Sequence, residues 1–219
     1  MSPAEAELLF ARLAALNPSP RTELAYADPF TLLVAVVLSA QATDAGVNRA
    51  TPALFAAAPT PPAMLALGEE GVRGLVKTIG LFRGKARNIV ALSRILVEEH
   101  GGSVPRTREA LERLPGVGRK TANVVLMEAF GEPAIAVDTH VFRVSNRIGL
   151  APGRTPLEVE ARLEAVVPEA YKRGAHHWLI LHGRYVCKAR KPECWRCIVA
   201  DLCAFKPKTP PPATAAPTR

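Results

Sequence analysis

The cysteines of this chain are confined to one short segment: Cys187, Cys194, Cys197 and Cys203, spaced C-x6-C-x2-C-x5-C. Four thiolates so close in sequence make a chelating loop, and the body they hold dictates how that part of the chain must fold. Structural zinc draws its thiolates from two close pairs. Here only Cys194 and Cys197 form a close pair, with wider gaps on either side. A [4Fe–4S] cube is a larger body, and wide spacing suits it. Disulfides come third. Neither a secretory leader nor a transmembrane run is read from the sequence, so a reducing cytosol is the expected compartment, and structural disulfides are rare there. The spacing favours a cubane over zinc.

The charge is as unevenly placed as the cysteines. The chain has 219 residues, a formal net charge of +8 and a pI near 9.7. Residues 171–208 hold nine Lys and Arg against two acids, which is nearly all of that excess. Lys188, Arg190, Lys191 and Arg196 are interleaved with the cysteines. A basic face around a metal loop points to a polyanionic partner, nucleic acid first. The alternative is a solvated, silent surface.

The local signals are helical, and no alternating strand pattern is convincing, so an all-α fold is expected. Ser2, Pro3 and Glu5 read as a capping box with proline at the first helical position, before a helix to about Leu16. Asp28-Pro29 opens a second helix. Its run FTLLVAVVLSAQA is uncharged all round, too short to cross a bilayer, and reads as a central buried helix. Short helices follow near 44–57, 61–66 and 69–78. An amphipathic helix over Lys85–Glu99 ends at Gly101-Gly102. Thr107 caps a helix to Arg113, and another runs over Arg119–Phe130. Thr155-Pro156-Leu157-Glu158 reads as a further capping box. Residues 174–186 form a helix that delivers Cys187. Residues 209–219, rich in Pro, Ala and Thr, read as a disordered tail.

Between two of these helices lies Leu114-Pro115-Gly116-Val117-Gly118-Arg119-Lys120-Thr121. Gly116 and Gly118 allow a tight turn that comes close to another surface. The helix that follows presents unpaired N–H groups and a positive pole. Such a turn suits a phosphate of a nucleic acid, gripped without reading the base. An ordinary turn between helices is the bland reading. The cations of this stretch and of the cysteine loop favour DNA.

Taken together these motifs resemble the endonuclease III family, DNA glycosylases of the helix–hairpin–helix superfamily. The resemblance covers nearly the whole chain. It includes Leu38-Ser39-Ala40-Gln41-Ala42-Thr43-Asp44, Gly80-Leu81-Phe82, the hairpin with Lys120, Val137-Asp138-Thr139-His140-Val141, and the stretch His176 to Gly183. The cysteines have the family's spacing. The resemblance implies two helical lobes with DNA in a cleft between them. One is a barrel over residues 22–132 that holds the helix–hairpin–helix at about 107–130. The other is a cluster lobe of residues 1–21 plus 133–208, carrying one [4Fe–4S] cluster per chain. It implies double-stranded DNA with damaged bases or abasic sites as partner, no membrane, a monomer, and a place in the bacterial cytosol on the nucleoid.

The same resemblance implies roles for particular residues. Removing a damaged base and nicking the strand needs an amine that attacks C1′. On its residues alone Lys120 reads as a phosphate contact; the family match makes it the nucleophile. Asp138 reads as a helix N-cap and, with the family match, also as the carboxylate that steadies positive charge on the sugar. His140 is either a packed histidine or a contact to the flipped nucleotide. Gln41 and Leu81 are the residues expected to fill the hole left when a base is taken out of the stack. Gly116, Val117, Gly118 and Arg119 are expected to hold DNA, with Lys191 in the cysteine loop. A non-catalytic helix–hairpin–helix module would need neither Lys120 nor Asp138. A [4Fe–4S] electron carrier would have no use for the hairpin. A sister glycosylase that removes adenine would lack a lysine at position 120. An oxidised-guanine lyase would lack the cysteine loop.

Overall fold

The structure, a computed structural model, describes residues 1–212. Ten α-helices are present among them: α1 Pro3–Leu16, α2 Pro29–Ser39, α3 Asp44–Ala57, α4 Pro61–Val76, α5 Phe82–His100, α6 Arg108–Glu112, α7 Arg119–Phe130, α8 Thr139–Ile148, α9 Pro156–Val166 and α10 Lys172–Tyr185. Two short 3₁₀ turns, Glu169–Tyr171 and Cys194–Arg196, complete the regular structure, and no strand occurs among the described residues. The all-α expectation holds. Residues 209–212 carry no regular structure, and the rest of the expected tail lies outside the described residues. No helix is long and apolar enough to cross a membrane.

The chain divides into two compact units, Thr22–Ala134 and Met1–Arg21 with Ile135–Arg219. The first is built around α2. Phe30 through Leu38 are all buried, so this helix has no solvent face. It packs on α3, α5 and α7. Each buried Leu, Val or Phe side chain contributes about 1.5–3 kcal/mol, so a charge at Leu33 would cost more than this unit could absorb. In the second unit α8 and α10 pack together, with α1 on α10 and α9 on α8. Its core gathers Leu9, Phe10, Val141, Val144, Leu163, Trp178 and Leu179. Trp178 stands among Phe10 and Tyr171, and its indole N–H donates to Asn17 O at 2.8 Å.

Most caps form as the sequence implies. Ser2 and Glu5 make the reciprocal capping box, and Thr107 Oγ1 accepts from Ala110 N. Three differences have local causes. The helix expected to run through Ala42 stops at Ser39, because Ala42 N donates to Ser39 O at 3.0 Å and closes a turn. The short helices expected at 61–66 and 69–78 form one run, Pro61–Val76, kinked at Gly68 with φ 67° and ψ 172°. At Thr155 only half of the expected box forms: Glu158 Oε2 accepts from Arg154 N at 2.8 Å instead of from the cap residue.

Candidate functional site

Within the unit Thr22–Ala134 the hairpin is a built turn. Val117 N donates to Leu114 O at 3.0 Å across Pro115 and Gly116. Gly116 has φ 80°, and a Cβ there would lie 2.8 Å from the Asn88 amide, so both the dihedral and the space require glycine. Val117 serves the turn itself: its side chain is buried and its N–H is already bonded. Gly118 is different. Its φ of −96° suits any residue, and a Cβ there would meet nothing within 4 Å.

Gly118 is the N-cap of α7 and supplies no side-chain hydrogen bond. Most other helices of this chain are capped by Ser, Asp or Thr; α5 and α10 share the lack. The first turn of α7 has no acid, yet carries Arg119 and Lys120, both exposed. Cations at a helix N-terminus run against the dipole. A helix start without a side-chain cap or an acid, with two cations beside it, has the chemistry that an anion can use.

Gln41 and Leu81 are exposed in the same unit. They are also the only non-glycine residues with positive φ among those described, at 55° and 59°. Ser39 through Ala42 form a turn of type II, in which position three favours glycine; Gln41 occupies it. Leu81 sits left-handed at the N-cap of α5 with no side-chain cap. The Ser39 hydroxyl turns back to donate to Val36 O at 2.8 Å.

In the other unit, Asp138 is the N-cap of α8. Its Oδ1 accepts from His140 N at 2.9 Å and Val141 N at 2.7 Å. One carboxylate oxygen makes both bonds, which leaves Oδ2 out of the cap. The His140 ring is half-buried, with Arg143 Nη2 donating to its Nδ1 at 3.2 Å. Arg143 also donates to Gly183 O and Cys187 O.

All four cysteines are free thiols and line one cavity with Arg147, His182 and Phe205. No three His, Cys, Asp or Glu side chains among the described residues sit close enough to hold a single metal ion. Thiolates on one zinc must crowd within about 4 Å of each other, given Zn–S bonds of about 2.3 Å. A [4Fe–4S] cube is a larger body, and four thiols lining one cavity are the donor set that it needs. Burial pushes the Cys197 thiol up, and Cys203, Cys187 and Cys194 push the same way. Four thiolates here therefore need a cationic body among them. Arg147 Nη1 approaches Cys187 Sγ at 3.6 Å and donates to Lys188 O at 2.7 Å, while Nη2 donates to Ala189 O at 2.9 Å. His182 Nε2 lies 3.7 Å from Cys197 Sγ. Burial, helped by Arg196, pushes His182 down to about 4, so it is neutral at neutral pH.

The basic loop is less uniform than its sequence. Lys188 pairs with Glu193 at 2.6 Å, and Arg196 pairs with the same carboxylate. Lys191 is exposed and has no such carboxylate partner among the described residues.

Comparison with known proteins adds family to geometry. A family described as the HhH-GPD superfamily of base excision DNA repair proteins matches residues 34–169. The iron–sulfur binding domain of endonuclease III matches residues 187–203, the span from the first cysteine to the last. Endonuclease III of Escherichia coli strain K12 is 60% identical over 200 residues, 91% of this chain and 95% of that protein. That of Haemophilus influenzae is 59% identical over the same shares. The chain belongs to the endonuclease III family. A solved structure of a trapped endonuclease III–DNA covalent intermediate matches with a TM-score of 0.87 and 45% identity, over 93% of this chain and 96% of that one. A thermostable thymine-DNA glycosylase matches at 0.83 with 26% identity. The group held in the cysteine loop is a [4Fe–4S] cluster.

Sequence reasoning passed over Lys85, Arg143, Arg147 and His182. Each lies inside a recognisable motif or on an amphipathic helix. No single-residue signal separates them from surface charges.

Proposed function

We propose that this chain excises oxidised pyrimidines from duplex DNA and then nicks the strand, with Lys120 as nucleophile and Asp138 as the charge-bearing carboxylate. The observation that carries this reading is Lys120 on an uncapped, acid-free first helical turn directly after the glycine hairpin. The enzyme is a DNA N-glycosylase and abasic-site lyase, and its partner is DNA. First-turn amides of α7 and Arg119 hold the backbone. Gln41 and Leu81 enter the duplex where the damaged base leaves it. The deprotonated Lys120 amine attacks C1′, the C1′–N bond breaks, and the base leaves with its electron pair and a proton. Ring opening gives a Schiff base. Loss of a C2′ proton then expels the 3′-phosphate, and water releases Lys120. Asp138 is assigned the positive charge that develops at C1′; its Oδ1 keeps the cap, and Oδ2 is outside it.

Cys187, Cys194, Cys197 and Cys203 would hold the cluster, and their ligation would tie the loop after α10 into place. His140 lends its other ring nitrogen to the extruded nucleotide. The enzyme acts as a monomer in the cytosol, on nucleoid DNA. Borohydride trapping across a panel of lesion-bearing duplexes tests the reading. Covalent adducts are expected on abasic sites and oxidised pyrimidines; no adduct on any of them would end it.

Two further outcomes follow from the geometry. Asp138→Asn should keep the fold, because an amide oxygen still caps α8. Its single-turnover rate should fall at least about tenfold, as expected when a charge-bearing acid–base group is lost. A melting temperature that drops in step with the rate would make the residue mainly structural. Lys191→Glu should weaken binding to any duplex and flatten the slope of log affinity against log salt by about one unit. Lys188→Glu should do less, since Glu193 already neutralises Lys188. Lesion preference should not move. Binding curves at three salt concentrations would read an unchanged slope as a solvated, silent lysine.

A further inference from the structure

Lys85 is a lysine in a place where lysines rarely go. It is only 6% exposed and lies on the inner face of α5 beside Ala86 and Ile89, both buried. Its Nζ donates to Leu38 O at 2.9 Å, one of the last carbonyls of α2. Burial pushes its ammonium down from the ordinary lysine value. Sequestering such a group is costly unless it is matched. The negative pole at the end of α2 offers one match.

What Lys85 joins is more informative than its burial. Three residues after Leu38 comes Gln41, and four residues before Lys85 comes Leu81. These are the two left-handed non-glycine residues described above. Lys85 N donates to Leu81 O at 3.1 Å, the first backbone bond of its helix. The two segments also approach through their backbones: a Cβ at Gly80 would stand 3.9 Å from Gln41 O. Thr43 Oγ1 accepts from Gly46 N at 3.1 Å and fixes the far side of the Gln41 turn. Left-handed conformations at Gln and Leu persist only where surrounding structure imposes them, and such strain collects at working sites.

We infer that Lys85 is a positioning residue that clamps the Gln41 turn to the Leu81 helix start, fixing the spacing at which both side chains enter DNA. This rests on the proposed role of Gln41 and Leu81 as the inserting residues. The clamp holds Leu38 O through the side chain and Leu81 O through the backbone of one residue. Loss of the ammonium frees the end of α2, and neither Lys120 nor Asp138 is among the groups that Lys85 bonds. Errors of about 1 Å in such placements cost on the order of a hundredfold in rate.

The test is Lys85→Met, which keeps length and apolar packing and removes the donor. Three readouts are taken on the full protein. They are single-turnover base release from an oxidised-pyrimidine duplex, fluorescence of 2-aminopurine beside the lesion as unstacking proceeds, and nicking of a preformed abasic duplex. Base release and the fluorescence rise should slow together by about tenfold, and nicking by less than about threefold, because no base must be pulled from the stack there. Lys85→Arg, which restores a donor, should recover part of the base-release loss. Unchanged base release, or equal losses in release and nicking, would overturn the inference. Should Lys85→Met fail to accumulate, Lys85→Leu, which also lacks a donor, is read by the same criteria. Gln41→Ala and Leu81→Ala separate the two levels: if neither alters the fluorescence rise, the insertion reading itself fails. If they do and the Lys85 variants do not, only the clamp fails.

Discussion

Lys120→Gln should abolish borohydride trapping on an abasic duplex and cut strand nicking by roughly a thousandfold or more, the scale of losing a covalent nucleophile. Duplex affinity should stay within about threefold, because one phosphate-range charge is lost among several. The folded state should not notice. Lys120 is exposed on the first turn of α7, and surface substitutions away from caps and cores change stability by only about 0.5 kcal/mol. If anything the variant relieves a local conflict. A cation beside a helix N-terminus is unfavourable, and here two stand together where α1, α3, α6 and α9 place an acid. A cation placed against the helix dipole marks a position whose gain lies outside the helix itself. Trapping at the wild-type level would remove Lys120 from the chemistry and leave it a phosphate contact.

The same contrast shows what the sequence made legible. Helix starts were readable because a cap is a local device: Ser2, Asp28, Thr107 and Thr155 act within three residues of themselves. The hairpin was readable because Gly116 answers a dihedral demand. The end of α2 was not. Apolar Ala42 continues the pattern of the buried run, and only the turn bond from Ala42 to Ser39 shows that the helix has stopped. Lys85 was equally hidden. On an amphipathic helix it looks like one more exposed charge, and its partner is 47 positions away. Lys188 and Lys191 look alike in the string of letters; Glu193 folds back onto one of them only.

The cysteine loop carries the largest expected effect on stability. Among the described residues after α10, one 3₁₀ turn, Cys194–Arg196, is the only regular structure. Few of its side chains are buried deeply; Cys187 and Val199 are the clearest anchors, at 6% and 1% exposure. Its carbonyls at Cys187, Lys188 and Ala189 depend on Arg143 and Arg147. A loop with so little apolar surface of its own takes its folding energy from ligation. Arg147 should therefore help only once the thiolates are gathered. Purified protein should be brown, with four irons per chain as its [4Fe–4S] cluster requires. Cys197→Ala removes the thiol that burial and the neighbouring Cys203, Cys187 and Cys194 push upward. It also takes away the sulfur that faces neutral His182. Soluble yield should fall at least about tenfold, since losing a structural metal is among the few single changes that unfold a domain. Any soluble remainder should lose iron and melting temperature together. Iron analysis and a thermal melt on the same sample decide it. A variant that accumulates normally, keeps four irons and melts like wild type would mean that Cys197 is not a ligand, and the cavity would have to hold its cluster by another set.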